Sequence, residues 1–216
     1  MVVVILAGMI GVGKSTVAEA IGEHLGSQVF FESVDDNRIL ELFYRDKKRW
    51  AFTLQVYFLN TRFRSIKAAL RHKDNVLDRS IYEDALFTRI NYEEGNISDV
   101  EMDTYLHLLD NMMVVIEETE KGRPDLLVYL HGSFDTIMHR IRKRGREYEQ
   151  SPELVDYLKH LHAGYANWIK EYDKSPVLII DIDRYDIERS DDKAAVLRMV
   201  DGKLSELSSE FSDPPK

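Results

Sequence analysis

Gly8-Met9-Ile10-Gly11-Val12-Gly13-Lys14-Ser15 follows the apolar run Val2–Leu6 and opens a helical stretch, Lys14–Leu25. The pattern is G-x-x-x-x-G-K-[ST] between a strand and a helix, the context in which it marks a phosphate-binding loop. Its glycines let backbone N–H groups turn inward around a phosphate, and the helix N-terminus adds a positive dipole. Met9, Ile10 and Val12 contribute that backbone, Lys14 a mobile point charge for the terminal phosphates, Ser15 an oxygen for Mg²⁺, and Thr16 the next helical residue. The bland alternative is a glycine-rich turn with an incidental lysine. The motif points to a nucleoside triphosphate and says nothing of what receives the phosphate.

Working outward, four more apolar runs read as strands: Val29–Phe31, Val76–Leu77, Leu126–Leu130 and Val177–Ile182. They are nearly continuous in Val, Ile, Leu and Phe rather than alternating, the pattern of strands covered on both faces, as in a parallel sheet. Helical stretches separate them. Lys47–His72 carries Trp50, Leu54, Tyr57 and Phe58 at helical spacing. Ser80…Glu83 and Ser98…Glu101 fit capping boxes, and Ser151-Pro152 opens a further helix. Strands alternating with helices predict a three-layer α/β fold with right-handed crossovers. No linker divides the chain, so residues 1–204 read as a single domain, and 205–216, ending in two prolines, as a frayed tail.

Composition narrows the function. The 216 residues carry 29 basic and 38 acidic side chains, a formal charge of −9 that argues against a duplex nucleic-acid surface. Apolar runs fall short of a membrane helix, and the N-terminus lacks a signal peptide's basic region. With no cysteine, thiolate metal sites and a cysteine nucleophile are excluded. Together these features favour the cytoplasm. The seven histidines form no metal-binding spacing and receive no role.

Ligands in open α/β folds bind beyond the carboxyl ends of the strands. Glu32 stands there after the second strand, and Asp78, Arg79 and Ser80 after the third. A carboxylate at that place could take a proton from a hydroxyl or hold Mg²⁺, and an arginine beside it could brace a phosphate. The alternative for Asp78-Arg79 is a surface ion pair with a cap. Gln55 and Arg62, two turns apart, share a helix face. An amide among Phe52, Leu54, Tyr57 and Phe58 suits a flat base, and an exposed helix face is the plainer reading. Arg140, Arg142, Lys143, Arg144 and Arg146 put five cations in seven positions, with Gly145 ending the helix. Such a segment could fold over polyphosphate as a lid at about residues 140–150, or remain a solvated helix end.

Five pieces in order resemble the deoxynucleoside kinase family, and within it the bacterial deoxyadenosine/deoxyguanosine kinase branch: Gly8–Ser15, Phe43-Tyr44, Leu54-Gln55 through Arg62, Asp78-Arg79-Ser80-Ile81-Tyr82-Glu83-Asp84, and Arg140-x-x-x-Arg144-Gly145-Arg146-x-x-Glu149. The resemblance runs from about Val2 to Ile187. It implies a P-loop kinase fold with a five-stranded parallel sheet in the order 2-3-1-4-5, a helical lid, and a dimer, either of identical copies or with a related subunit. It implies that Glu32 is the general base near the substrate 5′-hydroxyl, with Asp78 as the reversed assignment. Tyr44 and Glu149 hold the sugar 3′-hydroxyl. Gln55 reads the base, with Arg62 and Asp84 completing the polar end. Arg79 stands near the transferred phosphate, and Arg140, Arg144 and Arg146 form the lid. The base-stacking aromatic falls near Phe87-Thr88, with Phe87 the candidate. Animal relatives carry Glu-Arg-Ser where this chain has Asp78-Arg79-Ser80, and the Asp form resembles the purine-preferring bacterial branch.

The expected function is ATP-dependent 5′-phosphorylation of a deoxynucleoside in nucleotide salvage, deoxyadenosine first, with deoxyguanosine or a broad range as alternatives. Lys14, Arg79 and the lid arginines, with Mg²⁺ on Ser15 and Asp78, would stabilise the moving phosphoryl group. A nucleoside monophosphate kinase would need cations around the acceptor's phosphate, where Glu32 stands instead. A nucleotide-binding switch would spend its polar residues on a partner surface rather than on a base-and-sugar pocket. An RNA-end kinase is disfavoured by the acidic balance.

Overall fold

The computed structural model describes residues 2–32, 38–72, 74–119, 122–146 and 152–212. Its centre is a five-stranded parallel sheet of β1 (Val3–Ala7), β2 (Gln28–Phe30), β3 (Asn75–Leu77), β4 (Leu126–His131) and β5 (Val177–Asp181). The order is β2-β3-β1-β4-β5, as the resemblance implies. The register pairs Val4 with Val76 on one side and with Leu126 on the other.

The continuous apolar runs mean what they predict for three strands only. Every residue of β1 and β3, and all of β4 but His131, is buried. The two edge strands differ: β2 is partly exposed and Ile179 of β5 is half exposed. An edge strand lacks a neighbour on one side, so an apolar run there does not guarantee two covered faces.

Helices α1 (Lys14–Leu25), α2 (Arg38–Arg45), α3 (Lys47–Ala69), α4 (Asp84–Glu93), α5 (Asp99–Glu117), α6 (Phe134–Arg144), α7 (Pro152–Glu171) and α8 (Ser190–Ser212) surround the sheet. Both capping boxes form: Ser80 caps a 3₁₀ turn (Ile81–Glu83) that leads into α4, and Ser98 caps α5. Gly145 closes α6 in the left-handed conformation. The capping residue expected at Ser151 lies outside the described residues. Helix α3 stops three residues short of the sequence expectation. Helix α2 has no counterpart in the sequence reading. Part of the stretch expected to fray is helical to Ser212, with Leu207 buried.

At the C-terminal end of β1 the backbone turns sharply at Gly8, with φ +138°. A Cβ there would lie 2.4 Å from the Leu130 carbonyl oxygen of β4. Gly8→Ala therefore combines a strained φ with a backbone clash. We expect a loss of about 2–3 kcal/mol, seen as a melting temperature lower by roughly 5–10 °C. An unchanged melting curve would contradict this account of the turn.

Candidate active site

The carboxyl ends of β1, β2 and β3 open into one cleft of about 700 Å³. The phosphate loop forms its floor. Gly13 takes the left-handed conformation (φ +93°) and hands the chain to α1, which leaves the helix N-terminus facing the cleft. Lys14 is folded back onto its own loop, donating to the carbonyls of Gly8 (2.7 Å) and Met9 (3.0 Å). Burial, reinforced by the nearby Arg79 cation, pushes its ammonium down to about pH 7. A bound polyphosphate would add negative charge that favours the ammonium form.

Asp78, at the end of β3, accepts a hydrogen bond from Ser15 Oγ at 2.6 Å through Oδ2. Among the described residues its buried Oδ1 has no hydrogen-bond partner, and burial raises its pKa. An orphaned carboxylate oxygen beside a hydroxyl is a hard-oxygen pair of the kind Mg²⁺ takes. Among the described residues no cluster of three metal-ligating side chains occurs. That fits an ion held by one or two protein oxygens plus phosphates and water.

Glu32, at the end of β2, lies between two arginines. Arg62 Nη2 of α3 donates to its Oε1, and Arg79 Nε donates to its Oε2 at 2.8 Å. Burial opposes ionisation of this carboxyl, but Arg62 and Arg79, helped by Lys14, outweigh it and hold the pKa down at about 2. Arg62 Nη1 also donates to Asp84 Oδ1 at the start of α4. Among the described residues the buried Arg62 Nε and Asp84 Oδ2 have no hydrogen-bond partner. Phe58 lies under the Arg62 guanidinium and Phe87 under that of Arg79, at 4.9 and 5.2 Å.

Most of the residues singled out from the sequence meet here. Ile10, Gly11, Gly13, Lys14, Ser15, Thr16, Glu32, Tyr44, Gln55, Arg62, Asp78, Arg79, Phe87, Arg140, Arg144 and Arg146 line the cleft. Asp84 stands behind Arg62, and Gly8, Met9 and Val12 shape the loop from beneath. Of the two aromatic registers, Phe87 faces the cleft, whereas the Thr88 hydroxyl bonds the Asp84 carbonyl of its own helix. Arg140 Nη1 donates to the Val12 carbonyl at 3.0 Å, tying α6 to the loop. Glu149, expected beside Tyr44, lies outside the described residues. The sequence reading missed His139, Tyr157 and the segment Asp186–Glu188 in the lining. It also missed Glu83 and Tyr165, buried behind the wall.

A family model for deoxynucleoside kinase matches residues 4–204, which spans the loop, both arginines and the lid helix. The chain belongs to the deoxynucleoside kinase family. It is 50% identical to a deoxyguanosine kinase of Lactobacillus johnsonii, over 99% of this chain and 96% of that one. It is 42% identical to a deoxyadenosine kinase of Lactobacillus acidophilus, over 96% and 98%. The solved structure of deoxyadenosine kinase from M. mycoides with bound dATP superposes with a TM-score of 0.78 at 30% identity, covering 92% of this chain and 99% of that one. This deoxynucleoside kinase is thus a phosphotransferase with nucleoside and nucleotide substrates. No helix among its described residues is long and apolar enough to cross a membrane.

Proposed function

We propose that this kinase moves the γ-phosphoryl group of ATP to the 5′-hydroxyl of a purine 2′-deoxynucleoside, deoxyguanosine ahead of deoxyadenosine. The observation that carries the acceptor class is charge balance. At the acceptor end two guanidiniums, Arg62 and Arg79, meet three carboxylates, Glu32, Asp84 and Glu83. A second phosphate would meet a wall in which carboxylates outnumber guanidiniums and be repelled, whereas an uncharged sugar alcohol would not.

In this reading the loop amides and Lys14 hold the β- and γ-phosphates, and Arg140 and Arg144 cover them from the lid. Ser15 and Asp78 would hold Mg²⁺, which would supply positive charge against the polyphosphate. Arg79 presents donors to the equatorial oxygens of the phosphoryl group. Glu32, kept ionised by its arginines, positions the 5′-hydroxyl and accepts its proton as the new P–O bond forms and the bond to ADP breaks. A carboxylate of low basicity suffices because the transition state is loose and the alcohol becomes acidic only late.

The donor set at the inner end suits either purine. Glutamine pairs with adenine N6/N7, and the Gln55 amide, which carries both a donor and an acceptor, can turn over to face guanine O6 and N1–H instead. Deoxyadenosine, the expectation from sequence, rests on the first pairing. The greater identity to the Lactobacillus johnsonii deoxyguanosine kinase supports the second. Initial rates with Mg·ATP across deoxyguanosine, deoxyadenosine, deoxycytidine and thymidine test this. The expected kcat/KM is highest for deoxyguanosine, with the purines ahead of both pyrimidines by roughly tenfold or more. A faster deoxyadenosine reverses the ranking, and a preferred pyrimidine overturns the purine reading. Transfer to dGMP or dAMP but to no nucleoside would identify a monophosphate kinase.

A further inference from the structure

Glu83 reads from sequence as the last residue of a capping box, and it does accept the Ser80 N–H at 3.4 Å through Oε1. That accounts for only part of what it does. The side chain is fully buried, with no exposed area. Its Oε2 accepts the Gly8 N–H of the phosphate loop at 3.1 Å and the Tyr165 hydroxyl of α7 at 2.6 Å. Its Oε1 also accepts from Arg79 Nη1 at 3.3 Å. One carboxylate thus ties together the first residue of the loop, the arginine at the end of β3, the turn that leads to Asp84, and helix α7.

The bonds on Arg79 divide in a way that matters. Nε is taken by Glu32, and Nη1 by Glu83 and, at 3.4 Å, by the Tyr165 hydroxyl. Among the described residues Nη2 has no hydrogen-bond partner, and Arg79 lines the cleft while Glu83 does not. A guanidinium is a rigid planar fork, so fixing two of its nitrogens fixes the direction of the third. Without Glu83 holding Nη1, the guanidinium would be free to swing, and Nη2, on the same edge of the fork as Nε, could close on the Glu32 carboxylate as a bidentate pair.

We propose that Glu83 is a positioning residue of phosphoryl transfer: it holds Arg79 in one orientation, with Nη2 directed into the cleft, and locks that arginine to the start of the phosphate loop. This inference rests on the role given to Arg79 above. Glu83 touches neither substrate, so its effect must pass through Arg79 and the loop. An incorrectly aimed arginine costs the transition state and leaves ground-state binding nearly intact.

The test is a double-mutant cycle of Glu83→Gln with Arg79→Ala, reading kcat under saturating substrates together with directly measured ATP and nucleoside affinities. Glutamine keeps the shape but places an amide N–H₂ among four donors and removes the charge that restrains Arg79. The expected result is a kcat about 10²-fold lower with affinities within about threefold, and a further loss below about twofold when Arg79 is already alanine. A purely structural glutamate would give losses that multiply in the double variant, and that outcome overturns the proposal. Near wild-type kcat in Arg79→Ala alone overturns the role of Arg79 and this inference with it, whereas multiplicative losses on top of a crippled Arg79→Ala sink only the latter. Should Glu83→Gln fail to fold, Tyr165→Phe takes its place in the cycle. It removes one donor to Glu83 and one contact to Arg79, and is expected to lower kcat roughly fivefold only when Arg79 is present. Equal losses in both backgrounds would again refute it.

Discussion

Arg79→Ala is expected to lower kcat by about 10³-fold while ATP affinity stays within a few-fold of the wild type. The magnitude follows from the work assigned to the side chain. Charge on the transferred phosphoryl group spreads over three equatorial oxygens, and an arginine aimed at them is worth about 10³-fold or more. The ground-state complex should lose little, because in the proposed mechanism the loop amides and Lys14 hold the nucleotide without it. Folding should survive the change. Once Arg79 is gone, Glu32 keeps Arg62, and Glu83 keeps the Gly8 N–H, the Ser80 N–H and the Tyr165 hydroxyl. Arg79→Lys retains the charge but cannot bond Glu32 and Glu83 while pointing a third donor into the cleft, so it should recover little of the rate. Steady-state kinetics with calorimetric titration of ATP decide the matter. A kcat within tenfold of the wild type for the alanine variant would remove Arg79 from the reaction.

Glu32→Gln is the second large effect, and it has two separable parts. The first is kinetic: loss of a positioned proton acceptor should lower kcat by about 10²–10⁴-fold. The second concerns stability, and its sign follows from the depressed pKa. The carboxyl ionises at about 2 in the folded chain against 4.5 for an ordinary glutamate. Unfolding therefore takes up a proton below pH 4.5. The contribution of Glu32 is fully present above that pH and is lost as pH falls through about 2, on the order of 3 kcal/mol in all. Glutamine has no such term and leaves Arg62 sharing only Asp84. The variant should be less stable than the wild type at pH 7, and the gap should narrow as the medium is acidified below 4.5. Urea midpoints at pH 7 and at the lowest pH where both proteins fold measure it. A gap that widens in acid would mean that the arginines do not hold Glu32 ionised.

Which parts of this site can be read from the chain depends on the range of the interactions that build it. The phosphate loop is legible because its chemistry is local: glycines at fixed offsets, then Lys14 and Ser15 on the first helical turn. The two serine capping boxes are legible for the same reason, each being a bond between residues three apart. Asp78 and Arg79 are legible as strand-end residues, and the basic end of α6 as a cation cluster before a glycine. Helix α2 was not, because it is short and burial of Leu40 and Phe43 against its neighbours sustains it rather than a long periodic run.

Glu83 shows where local reading stops. Its spacing from Ser80 announces a cap, and the cap forms, yet its bonds to Gly8 and Tyr165 span 75 and 82 residues of chain. No spacing rule reports a partner brought in by sheet order and helix packing. The same holds for Glu32, which is only a carboxylate after a strand until β2 is laid beside β3 and Arg62 of α3 is brought against it. The sequence alone determined that this chain binds a triphosphate and that polar side chains gather at its strand ends. Tertiary structure alone decided which charges neutralise which, because a carboxylate's basicity and an arginine's direction depend on neighbours that lie far apart in the sequence.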